Sequence, residues 1–319
     1  KEEDALKMKS ILIMGGSDFI GSALAKRLIK CGYQIDILTN GKKEIDYNGF
    51  KEHLICDRKV RKDMENIITG RKYDYIYDMT AYTKEDVSNL IDFISMDNLK
   101  KYIVLSAGAV YKDSGRNIKE ENEKGENENW GKYGLNKKEA EDFIINSPIP
   151  YIIIRPTYIY GENNNLYREY YFFEKIEKNE KIPVPKGKQV SNQFIYIGDL
   201  VKVLESIMKN PHVREAYNVT NPQLISWDDL IYTCGEIIGK EPIIKYVDME
   251  KVEFRERTYF PFRNIDFNLD INKLIEHGLY IPNVLLKEGL TATYKWFSAN
   301  KPKMHDRKMN KVESVMQIV

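Results

Sequence analysis

Cysteine, histidine and long apolar runs are what this chain has least of, and each scarcity closes off a class of function. Three cysteines, Cys31, Cys56 and Cys234, are spread over 319 residues. Their odd number and wide spacing argue against a disulfide framework or a cysteine metal site and fit a reducing cytoplasm. Four histidines, His53, His212, His277 and His305, are equally scattered; none forms a ligand pair at helical or zinc-knuckle spacing, so no metal is expected. No apolar run approaches bilayer-spanning length, and the charged start has no apolar signal segment behind it, so the expectation is a cytoplasmic protein. Met8 directly before the first apolar run reads as a start, with residues 1–7 as an added or disordered leader. Net charge is +1, acids and bases interspersed, which leaves no sequence-wide footprint for nucleic acid or an anionic membrane. Internal repeats and arginine-rich or aromatic-interleaved RNA motifs are also missing, so nucleic acid is not expected as a partner.

What is present is a composition of 42 % apolar and 30 % charged residues, enough for a large core in one or two domains. The chain is organised around residues 14–21, Met-Gly-Gly-Ser-Asp-Phe-Ile-Gly. This stretch closes an apolar run at 11–14 and opens an amphipathic one in which Ile20, Ala23, Leu24, Leu28 and Ile29 recur at helical spacing. Strand, glycine turn and helix in that order make a phosphate cradle: Gly15 can take tight-turn angles, Gly21 lets helix and strand approach, and the helix N-terminus faces an anion.

Further strands are expected at 33–38, 53–56, 73–79, 101–106 and 151–155, with helices at 63–68, 85–96 and 132–146. That alternation implies an α/β fold, a Rossmann-type doubly wound parallel sheet covered on both faces. The second half is less regular: an aromatic helix at 166–176, a Pro-Val-Pro turn at 183–185, a strand at 192–197 and helices at 199–209 and 226–238. Residues 8–165 are therefore assigned to a dinucleotide-binding domain. Residues 166–300 go mainly to a smaller substrate-binding domain, with segments near 192–219 returning to the first. Residues 117–129 read as an acid-rich loop, and 301–319 as a tail without legible chemistry.

Tyr133 and Lys137 stand four residues apart on the long helix and so share a face. An ammonium beside a phenol favours the phenolate and makes tyrosine a usable acid or base. The same spacing recurs at Tyr47 with Lys51 and at Tyr171 with Lys175, where it reads as a solvated helix face. Order sets Tyr133 apart: glycine turn, a fourth strand running into Thr80 and Ala81, a fifth ending at Ser106, then this helix.

With these pieces the chain resembles an extended short-chain dehydrogenase/reductase of the NAD-dependent epimerase/dehydratase family, from about Met8 to about Phe297. The matching runs are the 15–21 turn, Asp57 after the third strand, 105–111 (Leu-Ser-Ala-Gly-Ala-Val-Tyr), 133–137 (Tyr-Gly-Leu-Asn-Lys), 155–161 (Arg-Pro-Thr-Tyr-Ile-Tyr-Gly) and 194–199. The resemblance implies an NAD(P)-dependent oxidoreductase or epimerase of a nucleotide sugar or similar hydroxy or keto compound. Tyr133 would exchange the substrate's proton, and Lys137 would hold the nicotinamide ribose. It places Gly15, Ser17, Asp18, Phe19, Ile20, Gly21, Asn40, Asp57, Arg58, Thr80 and Ala81 beside the cofactor, and Tyr82, Tyr158, Arg168 and Gln193 in the substrate pocket. It also implies a homodimer paired through the helices at 85–96 and 132–146.

Departures narrow the reading. Asp18 replaces the middle glycine of the turn, a carboxylate unwelcome beside phosphates unless it points away. Thr39 replaces the acid that would hold an NAD ribose, and Lys42 and Lys43 follow, which leaves NAD against NADP open. The catalytic hydroxyl position falls on Ala107, with Ser106 the nearest substitute or a strand-end serine satisfied by backbone. Gly108 and Ala109 stand where a 4,6-dehydratase carries an acid pair, so dehydration ranks low. Arg168 is a phosphate ligand or a structural ion-pair partner, and the aromatic run around it is read as core. The runner-up function is a catalytically degenerate relative that binds RNA or is gated by a dinucleotide.

Overall fold

The computed structural model describes residues 5, 8–187 and 189–319, so the proposed leader lies outside the described residues except for Ala5. Seven strands form one parallel sheet: β1 (Ile11–Met14), β2 (Ile35–Thr39), β3 (Glu52–Ile55), β4 (Tyr75–Asp78), β5 (Lys101–Leu105), β7 (Tyr151–Pro156) and β11 (Glu215–Val219). Their order is β11-β7-β5-β4-β1-β2-β3, and each adjacent pair is parallel. The order reverses between β1 and β4, which opens a crevice at their carboxyl ends. β1, β2, β4, β5 and β7 are buried along their whole length, as a sheet covered on both faces requires.

Helices α1 (Phe19–Lys30) and α6 (Ile197–Lys209) cover one face; α2 (Arg61–Ile68), α3 (Lys84–Ile91) and α4 (Gly131–Asn146) cover the other. The two faces carry separate apolar clusters, one joining Leu24, Leu28, Leu200 and Leu204 to the sheet and the other Met64, Val87, Leu90 and Ile144. Carbonyls of the last two turns of α6, of which those at the very end have no partner within the helix, accept from side chains of the sheet. Tyr77 donates to Leu204 O at 2.7 Å, Tyr75 to Met208 O at 3.3 Å and Lys101 to Ile207 O at 2.7 Å. These polar strand residues thus serve a helix end.

A third cluster lies beyond the carboxyl ends of the strands and is dominated by aromatics: Tyr170, Tyr171, Phe172, Phe173, Trp227, Phe260, Phe262 and Phe297. It gathers β8 (Tyr158–Tyr160), α5 (Glu169–Glu177), β9 (Lys181–Lys186), β10 (Phe194–Tyr196), α7 (Trp227–Ile238), β12 (Ile243–Asp248), α9 (Leu286–Asn300) and α10 (Val312–Met316). The aromatic run of α5 is core, as its composition suggests.

Some expectations are corrected. The Pro-Val-Pro stretch is not a turn but the middle of β9, parallel to β12 with Pro183 opposite Lys245 and Pro185 opposite Val247. A two-stranded ribbon leaves one side of β9 unpaired, where proline's missing N–H costs nothing. The helix expected over 85–96 stops at Ile91, and α5 begins at Glu169 rather than 166. Within the acid-rich loop, the start belongs to β6 (Gly115–Ile118), which pairs with β13 (Phe267–Leu269).

Candidate active site

The glycine turn is shaped by contacts that no side chain could share. Gly15 has φ +91°, and a Cβ there would fall 2.1 Å from Thr80 Cγ2; a Cβ on Gly21 would fall 2.0 Å from the Gly15 carbonyl oxygen. Both positions therefore need glycine, and the first turn of α1 lies hard against the end of β1. α1 has no side-chain cap and no acid in its first turn, which leaves its N–H dipoles to an incoming anion. Asp18, the residue before the helix, does not intrude. Its carboxylate binds Lys43 Nζ at 2.8 Å and Asn165 Nδ2 at 2.9 Å, so it points to the rim. The cradle thus fits a dinucleotide pyrophosphate despite the lost glycine.

Across the crevice, α4 is brought close by Gly134, where a Cβ would lie 2.3 Å from the Ala109 carbonyl oxygen. That contact sets the helix against the short turn after β5 and aims Tyr133 and Lys137 into a cleft of about 470 Å³. Lys137 is buried, donates to Ala81 O at 2.7 Å and Leu105 O at 2.9 Å, and is pushed down to about 8 by burial. Its ammonium lies 4.6 Å from the Tyr82 ring centre and 5.9 Å from that of Tyr133. Tyr133 keeps 47 % of its surface open to the cleft. Its pKa is raised to about 12, chiefly by burial, with Tyr82 adding to the rise and Arg168 opposing it. The expected lowering of the phenol by the lysine is absent, because the ammonium is turned to two carbonyls beneath the ring; solvent in the open cleft tempers the burial penalty.

Ser106 lines the same cleft, but its hydroxyl donates to Glu141 Oε1 at 2.6 Å. Glu141 is fully enclosed; burial pushes its carboxyl up, and Arg155, Lys124 and Ser106 outweigh that and hold it below the usual range. Arg155 supplies two bonds, Nε at 3.0 Å and Nη2 at 2.7 Å, and its Nη1 donates to the Tyr111 hydroxyl at 3.0 Å. Ser106 is therefore placed as a structural hydroxyl at the cleft floor, and Ala107 beside it offers none.

Twelve of the expected site residues line the cleft: Gly15, Asp18, Phe19, Ile20, Gly21, Thr80, Tyr82, Ser106, Tyr133, Lys137, Tyr158 and Arg168. Ala81 contributes only its carbonyl, to Lys137. Others are not brought there. Arg58 is buried against Asp78, with Nη1 to Oδ1 at 2.6 Å and Nη2 to Oδ2 at 2.9 Å, and reaches Thr80 Oγ1 at 3.0 Å; it braces the end of β4 rather than facing a ligand. Gln193 is buried away from the cleft and spans the Leu269 backbone, donating to its carbonyl and accepting from its N–H. Asp57 accepts from Lys59 N and Asn40 from Lys42 N, closing their own turns, and Ser17 lies outside the cleft wall. Thr39 is engaged by His53 Nε2 at 2.7 Å and Gly41 N at 3.1 Å.

The opposite wall was missed from sequence. Trp130, Phe262, Arg257, Arg263 and Lys308 line it together with Tyr158 and Arg168. Arg168 lies 4.9 Å from the Tyr158 ring centre and Arg263 5.1 Å from that of Trp130. These side chains come from irregular connections that carry no periodicity, so no local signal marks them.

A sequence model of the NAD dependent epimerase/dehydratase family matches residues 11–220. The chain is 29 % identical over 304 residues to the chloroplast stem-loop binding protein of 41 kDa b of Arabidopsis thaliana, spanning 90 % of this chain and 78 % of that protein. It is 26 % identical over 370 residues to the dTDP-D-glucose 4,6-dehydratase of Dictyostelium discoideum, spanning 94 % and 84 % of the two chains. Among solved structures it is similar to the UDP-glucose 4-epimerase of Thermotoga maritima, crystallised with UDP-glucose. The TM-score is 0.75 at 20 % identity, covering 92 % of this chain and 100 % of that one.

Proposed function

The chain belongs to the NAD-dependent epimerase/dehydratase family, and from that premise we propose that it is an NAD(P)-dependent oxidoreductase or epimerase of a nucleotide-linked sugar. The observation that carries the reading is one cleft in which the glycine cradle, the Tyr133–Lys137 pair and an arginine-lined aromatic wall face one another. The cradle would hold the pyrophosphate of a bound dinucleotide at the α1 N-terminus, and Lys137 would hold its ribose hydroxyls on leaving the two carbonyls. A bound nicotinamide would supply hydride acceptance and return. Tyr133 holds the proton at the substrate oxygen, taking it as the hydroxyl becomes a ketone and giving it back in the reverse direction. The Lys137 ammonium, 5.9 Å from the ring centre, would favour the phenolate that this requires once it is released from the two carbonyls that hold it.

Ala107 removes a second hydrogen-bond donor to that oxygen, and the Ser106 proton is committed to Glu141, so Tyr133 bears the proton transfer alone. Gly108 and Ala109 supply neither the acid nor the base that elimination of water needs, and dehydration is therefore not part of the proposal, although the Dictyostelium relative is a dehydratase. Lys43 is tied to Asp18 and Thr39 to His53, so neither is free for a 2′-phosphate or a ribose; NAD and NADP titrations decide between the two. We also propose a homodimer paired through α3 and α4; a monomer mass in solution scattering would refute it.

Tyr133→Phe is expected to leave dinucleotide binding intact and to cut turnover of a nucleotide sugar by roughly 10²- to 10⁴-fold. Lys137→Ala should weaken both. Unchanged turnover in Tyr133→Phe overturns the assignment. The name of the Arabidopsis relative grounds a second reading, a catalytically degenerate chain that binds nucleic acid. RNA-hairpin affinity that falls steeply with salt, together with no nicotinamide absorbance change on sugar nucleotides, would favour it.

A further inference from the structure

The histidines are scattered along the sequence, but the fold brings two of them together. His212 lies in the connection from α6 to β11, and His277 ends the short helix α8 (Asn272–Glu276). Their rings stack at 3.8 Å with 14° between planes. Glu215, the first residue of β11, joins them: one ring nitrogen of each histidine and one Glu215 carboxylate oxygen lie within 4.8 Å of one another. All three residues are half-buried. Because β11 runs parallel to the rest of the sheet, its first residue lies at the end opposite the cleft, and the cluster has no part in the site described above.

The surroundings fix this set. Asn210 bridges the two segments, its Nδ2 donating to the His277 carbonyl at 2.6 Å and its Oδ1 accepting from the His212 N–H at 3.0 Å. The buried Tyr217 hydroxyl shares a 2.8 Å hydrogen bond with His277 Nδ1. An outer partner on one ring nitrogen orients the imidazole and leaves the other, Nε2, to a ligand. Tyr217 and Leu274 belong to the main apolar cluster, so both segments are anchored by packing as well. Arg214, next to Glu215, is turned away to the carbonyls of Ile145, Ser147 and Ile149. Among the described residues, the cation paired with Glu215 is Lys273, 2.5 Å from its Oε2.

We propose that His212, Glu215 and His277 bind a divalent transition ion of the zinc class, which clasps the α6–β11 connection to the end of α8. Two imidazoles and one carboxylate suit zinc, with water in a fourth position, whereas calcium and magnesium favour oxygen ligands throughout. Bonds of about 2.0–2.1 Å to a tetrahedral ion put ligand atoms about 3.3 Å apart. Rotation of three partly exposed side chains closes that difference, and Glu215 exchanges the Lys273 ammonium for the ion. Because Asn210 and the apolar packing hold the segments without it, the ion is a reversible clasp that adds stability by mass action rather than a requirement for folding. Such a site goes beyond the nucleotide-sugar reading and does not depend on it.

The test is calorimetric titration of the full chain, free of any histidine tag, with zinc chloride, and with cobalt(II) as an absorbance probe of the ligand set. One ion per chain is expected, together with a melting temperature that climbs with zinc concentration. His212→Ala and His277→Ala should each weaken zinc by more than about 100-fold, and Tyr217→Phe, which removes the outer partner, by about 10- to 100-fold. Lys273→Met should tighten it by freeing Glu215, and His305→Ala should leave it unchanged. Zinc-free melting temperatures check that each variant is folded, with His212→Gln or His277→Gln replacing one that is not. Unaltered zinc affinity in both histidine variants, or calcium binding as tight as zinc, overturns the proposal. Failure of the unmodified chain to bind zinc or cobalt also overturns it and leaves the nucleotide-sugar reading standing.

Discussion

Buried charge is handled in opposite ways in the two halves of the molecule. Within the sheet, Arg58 and Arg155 each meet a carboxylate in a two-pronged bond, Asp78 and Glu141 respectively, and both acids are held below their ordinary range against the push of burial. On the cleft wall, Arg168 rests on Tyr158 and Phe262 without a carboxylate. Its neighbour Glu169 turns elsewhere, accepting from Gly161 N at 3.1 Å and Asn164 Nδ2 at 3.0 Å, and burial raises its pKa to about 7. Adjacent acid and base are therefore kept apart where the sheet would have paired them. A pair closed within the fold has its charges satisfied by one another; a cation without such a partner beside a cleft keeps its donors available to what enters it.

The largest effect should come from opening a closed pair. Arg155→Leu leaves Glu141 buried without its main partner and is expected to cost about 3–5 kcal/mol in urea unfolding. Adding Glu141→Leu should recover much of it. Next in size, Arg168→Leu should lower UDP affinity by about 10- to 30-fold, one or two charge-assisted bonds, and leave stability within about 1 kcal/mol. Destabilisation as severe as that of Arg155→Leu would erase the distinction between the two halves.

The acids sharpen the contrast through pH. Glu141 and Asp78 have depressed folded-state values, so their contribution is present above the unfolded carboxyl pKa near 4 and is lost as pH falls below it. Glu169 has a raised value, so its contribution is full below about 4.3 and disappears as pH climbs through about 7. Glu169→Gln should flatten the decline in stability between pH 4.3 and 7, gaining about 3 kcal/mol at pH 8 by thermal unfolding. A decline of equal slope in that variant would mean another group is responsible. The smallest effect is assigned to Asp18→Ala: a half-exposed carboxylate and its two contacts contribute under about 1 kcal/mol. Because the group already faces away from the cradle, NAD affinity should move by less than about threefold.

The sheet half was legible because its strands and helices repeat a simple period, and because the glycines of the turn and the Tyr133–Lys137 spacing are local signals. Roles within those motifs were less so. Arg58, Ser106 and Gln193 carry groups suited to binding, yet each is consumed inside the protein by Asp78, Glu141 and the Leu269 backbone, partners 20, 35 and 76 residues away. Lys137 was correctly placed beside Tyr133, but its link to the Ala81 and Leu105 carbonyls depends on how deeply α4 sinks, which Gly134 decides. The pocket wall from Arg257 to Lys308 was invisible for a different reason. Its residues lie in connections whose conformation is set by the aromatic cluster, and Pro-Val-Pro was misread because a proline in an edge strand and one in a turn look alike.

Asp18 is the position where this chain strays furthest from its family's turn, and its side chain ties the loop that opens α1 to Asn165, 147 residues further along and on the cleft's far rim. A glycine there would cut a thread joining the glycine cradle to the far rim of the cleft. The substitution is thus better regarded as a stitch between two banks than as a scar on one of them.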